Sequence, residues 1–208
     1  MLLTSDLKSQ KNLVDRLIAT RVLHTPTIVD AFKVVDRRDF VSLTMLDFAY
    51  YDDALPIGYE QTISQPTTVA IMLELLQPQR GQRILDVGSG SGWTTALLSS
   101  IVDSKGSVTG LEIIPQLVEF GQKNLAKYHF PQSRIMQAEK SLGLSGELFD
   151  RILVSAAAKE IPDKLVDQLK LGGKMVIPVD YSLILVEKDL KGSIEQKEIP
   201  GFTFVVLK

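Results

Sequence analysis

The sequence predicts an α/β protein with a doubly wound, mostly parallel β-sheet and an N-terminal helical extension. From Arg83 onward, short apolar runs alternate with segments of helical periodicity, which indicates right-handed βαβ units. The apolar run at residues 84–87 leads directly into a glycine-rich turn and then a helix. Upstream, apolar residues recur at helical spacing as far as about Asp53.

Size and composition restrict the possible functions. The chain has 208 residues, of which 45% are hydrophobic and 23% charged, and this suits one domain with a full core. We expect residues 1–65 to form the helical extension and a loop, and residues 66–208 to form the α/β core. The formal net charge of −2 makes nucleic acid and anionic membranes poor partners.

The absence of cysteine excludes disulfides, zinc–thiolate sites and thiol catalysis. No stretch reaches the ~20 apolar residues of a membrane helix, and the first residues do not resemble a signal peptide. We therefore expect a cytoplasmic location, with a monomer as the default assembly.

The N-terminal part is predicted to be helical. A second helix should begin at Pro26, with Thr25 as its N-cap. We interpret residues 50–64 as a loop, which should lead into a helix from Pro66 to about Leu76. Before these, five apolar residues recur at helical spacing in an otherwise polar stretch: Leu7, Leu13, Val14, Leu17 and Ile18.

The core is predicted to contain seven strands. We expect helices near residues 93–101, 115–128 and 162–169. The last two strands have no helix between them, which favours an antiparallel pair at the end of the sheet. The predicted strands are residues 84–87, 108–111, 134–137, 151–155, 174–179, 183–187 and 202–207.

The glycine turn indicates a ligand site. Glycine permits both a sharp turn and the close approach of a ligand to the backbone, and ligands of open α/β sheets bind at this edge. A dinucleotide fingerprint, G-x-G-x-x-G, would need its third glycine where Trp93 stands. The observed spacing instead places glycines at 88, 90 and 92. Preceded by Asp86, it resembles the S-adenosylmethionine motif of class I methyltransferases.

Two carboxylates accompany this turn. Asp86 suits the ammonium group at the amino-acid end of such a cofactor, directly or through water. Glu112 ends the next strand, where a carboxylate can accept hydrogen bonds from both ribose hydroxyls. An acidic residue at a strand end is often only solvated. The glycine turn, Asp86 and Glu112 together in one βαβ unit nevertheless predict a nucleoside-bearing cofactor.

Further blocks make the resemblance specific. The chain reads Leu55-Pro56-Ile57-Gly58, then Gln61-Thr62-Ile63-Ser64-Gln65-Pro66, and later Glu160-Ile161-Pro162. With blocks further along, these closely resemble the protein-L-isoaspartate (D-aspartate) O-methyltransferase family over nearly the whole chain from about Arg21.

The resemblance implies a Rossmann-like, seven-stranded methyltransferase sheet. It also implies transfer of a methyl group from S-adenosyl-L-methionine to the free α-carboxylate of L-isoaspartyl and D-aspartyl residues in damaged proteins. S-adenosyl-L-homocysteine is the other product, and the ester collapses to a succinimide that partly reopens to normal aspartate.

The resemblance assigns Ser64 to the position of the active-site serine. From the residues alone, a helix cap before Pro66 is at least as good a role for it. Neither His24 nor His129 has a metal-ligand partner at helical spacing, so we expect no metal. The substrate side is implied for Leu55, Pro56, Ile57, Gly58, Thr62, Ile63, Ser155, Ala156 and Ala157. The cofactor contacts are predicted to be Asp86, Gly88, Ser89, Gly90, Gly92, Glu112, Ile113, Ala138 and Glu139.

The chemistry suits these residue types. An α-carboxylate has a pKa of about 3.5, so the acceptor is already ionised at neutral pH. No strong general base is required, and the rate can come from aligning the carboxylate oxygen, methyl carbon and sulfur.

Some positions depart from the family pattern. Ala138-Glu139-Lys140 stands where the family has Gly-Asp-Gly, and Glu60 and Val206 stand where glycine and proline are common. A methyl group at Ala138 restricts positive φ, Lys140 adds a cation beside the pocket, and Glu60 could repel an acidic substrate. Two alternatives therefore stay open: a carboxyl methyltransferase acting on another peptide or small carboxylate, and a catalytically weak S-adenosylmethionine-binding module.

Overall fold

The computed structural model describes residues 9–139 and 141–207. The N-terminal extension is helical, as predicted: α1 spans Gln10–Ala19 and α2 spans Pro26–Val34. Two 3₁₀ helices follow, at Arg37–Phe40 and Leu43–Phe48. Leu7, which belonged to the first helical pattern, lies outside the described residues.

The start of α2 differs in detail from the prediction. Pro26 is its first residue, but the Thr25 side chain makes no capping hydrogen bond. The hydroxyl of Thr25 donates instead to Oε2 of Glu74, whose Oε1 accepts from the backbone N–H groups of His24 and Thr25. A carboxylate from another helix thus satisfies the donors that precede α2.

The predicted loop over residues 50–64 was wrong in its second half. Strands β1, Leu55–Gly58, and β2, Gln61–Ile63, form an antiparallel hairpin. Pro56 is exposed on this two-stranded sheet, a position that proline tolerates. Tyr59 and Glu60 join the strands with φ values of +53° and +58°, the conformation that a tight two-residue hairpin turn requires.

After the hairpin, helices and strands alternate as predicted. The helices are α3, α4, α5 and α6, at Pro66–Leu76, Trp93–Val102, Pro115–Leu125 and Asp163–Asp167, with a 3₁₀ turn at Asp103–Lys105. The strands β3 to β9 are Arg83–Val87, Ser107–Glu112, Ser133–Gln137, Phe149–Val154, Leu169–Val179, Ser182–Lys188 and Ile194–Pro200.

These strands form one seven-stranded sheet in the order β5-β4-β3-β6-β7-β8-β9. Strands β3 to β7 are all parallel to one another, whereas β8 is antiparallel to both β7 and β9. The Rossmann-like, mostly parallel architecture is therefore confirmed.

Two predictions near the C-terminus were wrong. The last strand is Ile194–Pro200, not residues 202–207, and the latter form only a single bridge from Val206 to Ala157. The sequence of this edge strand shows no clear alternation of apolar and polar residues, because the strand is almost entirely exposed and three of its seven residues are charged. Helix α6 is also shorter than residues 162–169, because Leu169 already starts β7.

Strand β3 shows how the two faces of the sheet are covered. Ile84 packs in a cluster that includes residues of α1 to α5, and Leu85 and Val87 pack in a second cluster with Leu165 of α6. Since β3 lies between β4 and β6, the chain order reverses there, and a crevice forms outside its carboxyl end. Within the described ranges, no helix is long and apolar enough to cross a membrane.

Candidate active site

A cavity of about 350 Å³ opens at the carboxyl ends of β3, β4 and β6, where the chain order reverses. Thirteen of the predicted site residues line it: Ile57, Thr62, Ile63, Ser64, Gly88, Ser89, Gly90, Glu112, Ile113, Ala138, Glu139, Ser155 and Ala156. Six do not: Leu55, Pro56, Gly58, Ala157, Asp86 and Gly92.

The glycine turn forms one wall of the cavity. The backbone N–H groups of Gly88 and Ser89 both donate to the carbonyl of Leu111, at 2.8 and 3.0 Å, which ties the turn to the end of β4. Gly92 has φ +87°, and a Cβ there would lie 3.0 Å from the carbonyl oxygen of Gly121 in α5. Gly92 therefore allows α4 and α5 to pack closely, a role that differs from the predicted cofactor contact.

Asp86 is fully buried behind the turn rather than exposed in the cavity. Its Oδ2 accepts hydrogen bonds from the hydroxyls of Thr94 and Thr95, at 2.7 and 2.6 Å, in the first turn of α4. Burial raises the pKa of Asp86 to about 6, against the lowering effect of these two hydroxyls. Asp86 is therefore not placed to contact an ammonium group in the cavity directly. Its charge can act on such a group only through the intervening protein.

Glu112 connects the turn to the next loop. Its Oε2 accepts from the N–H of Gly90 and its Oε1 from the N–H of Ile114, both at 2.9 Å. Each carboxylate oxygen has a second lone pair, and the residue lines the cavity while only 6% exposed. The carboxylate is thus held rigidly and can still accept hydrogen bonds from a pair of hydroxyls.

Buried polar atoms around the cavity point to a polar ligand. Ser89 Oγ, Ser155 Oγ and Trp93 Nε1 are buried and have no hydrogen-bond partner among the described residues. All three residues line the cavity. Because an unpaired buried polar group costs free energy, a ligand with its own donors and acceptors would be stabilised here.

The far end of the cavity is lined by Ala138, Glu139 and the stretch from Ser141 to Gly143. The N–H of Ala138 donates to the carbonyl of Glu112 at 2.8 Å, so this end is tied to β4 as well. Neither Ala138 nor Glu139 has a positive φ, so the loss of the family's first glycine causes no backbone strain at Ala138. Lys140, predicted to place a cation here, lies outside the described residues.

The β1–β2 hairpin covers the opposite side. Leu55, Ile57 and Ile63 are buried on its inner face, whereas Pro56 and Thr62 are exposed. A Cβ on Gly90 would lie 3.3 Å from Cδ1 of Ile57, so the hairpin packs directly on the glycine turn. The hairpin, predicted to contact the acceptor, and the glycine turn, predicted to contact the cofactor, therefore line the same cavity.

Ser64 lies at the end of this hairpin, just before α3. Helix α3 begins at Pro66 with Gln65 as its N-cap residue. The N–H of Thr67 in its first turn donates to Asp52 at 2.8 Å. The alternative role of Ser64 as a helix cap is therefore not observed, and Ser64 lines the cavity.

The turn after β6 carries Ser155 and Ala156 into the cavity, and the chain's C-terminal segment runs beside it. Ala157 exchanges two backbone hydrogen bonds with this segment: its N–H donates to Val205 and its carbonyl accepts from Leu207, at 2.7 and 2.8 Å. Residues Val205, Val206 and Leu207 consequently line the cavity.

The sequence prediction missed the other lining residues. Those next to predicted positions could have been found by extending each motif by a few residues: Gln61, Val69, Val87, Ser91, Trp93, Thr94, Leu111, Ile114, Ser141, Leu142 and Gly143. Val205, Val206 and Leu207 carry no motif, and only the folded structure brings them to the site.

The chain is similar to known proteins over nearly its whole length. Residues 8–208 match the family model described as protein-L-isoaspartate(D-aspartate) O-methyltransferase. The chain is 40% identical over 206 residues to the protein-L-isoaspartate O-methyltransferase of Methanopyrus kandleri, covering 96% of this chain and 91% of that protein. It is also 40% identical over 203 residues to the Pyrococcus horikoshii enzyme of the same name, covering 95% and 91%.

A solved structure extends the likeness to three dimensions. A Plasmodium falciparum protein described as a protein-L-isoaspartate O-methyltransferase, in complex with S-adenosyl-L-homocysteine, superimposes with a TM-score of 0.84. The two chains are 28% identical, and the match covers 96% of this chain and 98% of that one. The family match over residues 8–208 and the relatives at 40% identity show that this chain belongs to the protein-L-isoaspartate (D-aspartate) O-methyltransferase family.

Proposed function

We propose that this chain transfers a methyl group from S-adenosyl-L-methionine to the free α-carboxylate of L-isoaspartyl, and D-aspartyl, residues in damaged proteins. The observation that carries the proposal is the set of residues that line the cavity at the carboxyl ends of β3, β4 and β6. One side presents the glycine turn and Glu112, and the other presents Thr62, Ile63 and Ser64. A cofactor and an acceptor bound to these two sides would lie against each other.

The residues present suit S-adenosyl-L-methionine. Gly88 and Gly90 leave the backbone open to its amino-acid part, and Glu112 has free lone pairs for the ribose hydroxyls. The unpaired hydroxyls of Ser89 and Ser155 supply two further polar contacts. Ile113, Ala138 and Glu139 would surround the adenine. Asp86 contributes through its charge behind the turn.

When bound, the cofactor supplies a methyl group on a positively charged sulfur, which becomes a neutral thioether after transfer. The acceptor carboxylate oxygen forms the new O–C bond as the C–S bond breaks, and its electron pair needs no base because the carboxylate is already ionised. The Ser64 hydroxyl donates a hydrogen bond to the other carboxylate oxygen and so orients the acceptor. Ile57 and Ile63, both buried, exclude water from that side.

The remaining predicted residues would act around the acceptor peptide. Leu55, Pro56 and Gly58 shape the hairpin without lining the cavity, and Ala157 holds the C-terminal segment in place. We further propose that the protein acts as a monomer, since the cavity is formed within one chain, and that it acts in the cytoplasm.

The test measures initial rates of methyl transfer to an isoaspartyl peptide and to its normal aspartyl counterpart. Wild type should methylate only the first, giving a base-labile ester. Ser64→Ala should lower this rate about tenfold to a hundredfold, the equivalent of one hydrogen bond to a charged group, about 1.5–3 kcal/mol.

Ser100→Ala is the matched control, because Ser100 belongs to α4 but does not line the cavity. It should leave the rate unchanged. A wild-type protein that methylates neither peptide at saturating cofactor would refute the proposed function. An unchanged rate in Ser64→Ala would refute only the role of Ser64.

A further inference from the structure

Arg37 is a fully buried arginine for which the proposed mechanism has no role. Its Nη2 donates to the carbonyl oxygens of Asp53, at 2.8 Å, and of Ser64, at 3.1 Å. Asp53 precedes β1 and Ser64 follows β2. One guanidinium nitrogen therefore joins the two ends of the hairpin that covers the acceptor side.

The same guanidinium extends to the cofactor side. Its Nη1 donates to the carbonyl oxygen of Ala49 at 2.7 Å and more weakly to that of Tyr51 at 3.4 Å. Its Cζ lies 5.3 Å from the ring centroid of Trp93, a cation–π contact. Trp93 is the first residue of α4 after the glycine turn, and it lines the cavity.

The charge of Arg37 makes a purely packing role a poor explanation. Burial lowers the pKa of Arg37 to about 10, although Asp52 and Asp53 oppose this, so the group stays charged at neutral pH. Burying a cation costs more free energy than burying an apolar side chain of similar volume. What arginine provides in return is a rigid, planar set of donors, here directed at backbone carbonyls that flank the hairpin.

We propose that Arg37 is a positioning residue for methyl transfer, which fixes the backbone of Ser64, and hence its hydroxyl, relative to Trp93 and the glycine turn. The inference rests on the proposed function, because the position of Ser64 matters only if the cavity binds an acceptor carboxylate.

A double-mutant cycle tests this role. The variants Arg37→Lys, Ser64→Ala and the double variant are assayed for kcat at saturating S-adenosyl-L-methionine and isoaspartyl peptide. Rates are divided by the number of sites that bind S-adenosyl-L-homocysteine, so that only folded protein is counted. Arg37→Lys should lower kcat about tenfold, since one ammonium nitrogen cannot replace two rigidly spaced nitrogens, of which one binds Ala49 and the other binds Asp53 and Ser64. The double variant should be no more than about threefold slower than Ser64→Ala, because no hydroxyl is then left to position.

Trp93 supplies an independent readout, because it is the only tryptophan. Its fluorescence should change in Arg37→Lys, while the Kd for S-adenosyl-L-homocysteine stays within about threefold of wild type. Arg16→Lys is the matched control: Arg16 donates to the carbonyl of Tyr50 in the same loop, at 2.7 Å. It should change kcat less than about threefold.

Three results would overturn the inference: a wild-type kcat in Arg37→Lys, losses in kcat that multiply in the double variant, or loss of S-adenosyl-L-homocysteine binding in Arg37→Lys. The last would mean that Arg37 supports the fold as a whole. A wild type that does not methylate the isoaspartyl peptide rejects the proposed function and this inference with it. Multiplicative losses beside an active wild type reject the inference alone.

Discussion

Replacing Asp86 with asparagine should remove a pH dependence from the stability of the unliganded protein. Burial raises the pKa of this carboxyl group to about 6 in the folded state, whereas an unperturbed aspartate titrates near about 3.9. The folded protein therefore holds the proton more tightly than the unfolded chain. The stability that this proton provides is complete below a pH of about 4 and is lost as the pH rises through about 6.

The magnitude follows from the size of the shift. About two pKa units correspond to about 3 kcal/mol, of which about 2 kcal/mol is lost between pH values of about 4.5 and 7. The asparagine oxygen can still accept from the hydroxyls of Thr94 and Thr95, but the side chain has no charge to bury. The free energy of unfolding of Asp86→Asn minus that of wild type should therefore be about 2 kcal/mol larger at the higher pH than at the lower.

Urea unfolding followed by circular dichroism at several pH values measures this difference. The contributions of the other titrating groups cancel, because both proteins contain them. Asp47→Asn is the control, because Asp47 is exposed and should show no such trend. If the difference in the free energy of unfolding between wild type and Asp86→Asn stays constant across the pH range, Asp86 does not have a raised pKa in the folded protein.

Three further substitutions test single features of the site. Gly92→Ala should lower the free energy of unfolding by about 2–4 kcal/mol, from a strained φ of +87° and a contact with Gly121, and an unchanged Tm would contradict this. Glu112→Gln should weaken S-adenosyl-L-homocysteine binding about tenfold in calorimetry, because an amide cannot accept from both backbone donors through separate oxygens; an unaltered Kd would count against it. Glu60→Gly should raise the free energy of unfolding by about 0.5–1 kcal/mol by relieving a positive φ, and a loss of stability in urea melts would show that Glu60 makes a useful contact.

The central strands β3 and β6 could be predicted because they are buried on both faces and contain short apolar runs. The edge strand Ile194–Pro200 could not, since it is solvated and carries charges where a buried strand would carry apolar residues. Residues 202–207 misled the prediction for the opposite reason. Phe202, Phe204 and Leu207 pack against the core, and burial alone produces an apolar run without a strand.

At the site, spacing along the chain predicted what lies close in sequence. The glycine turn and Glu112 came from the pattern of one βαβ unit, whereas Ser64 came from the resemblance to the family. The direction of a buried side chain was beyond such reasoning: Asp86 points to α4, not to the cavity. Arg37 and Val206 were missed because they reach the site from distant parts of the chain through tertiary packing.

We propose that the cavity selects an isoaspartyl carboxylate as methyl acceptor. The most direct measurement mixes equal amounts of an isoaspartyl peptide and its isotopically labelled aspartyl counterpart with enzyme and S-adenosyl-L-methionine, and identifies the methyl ester by mass spectrometry. We expect the added methyl group on the isoaspartyl peptide and not on the aspartyl one, and we expect it to be lost in base. Equal methylation of the two peptides, or methyl groups that survive base, would contradict this proposal.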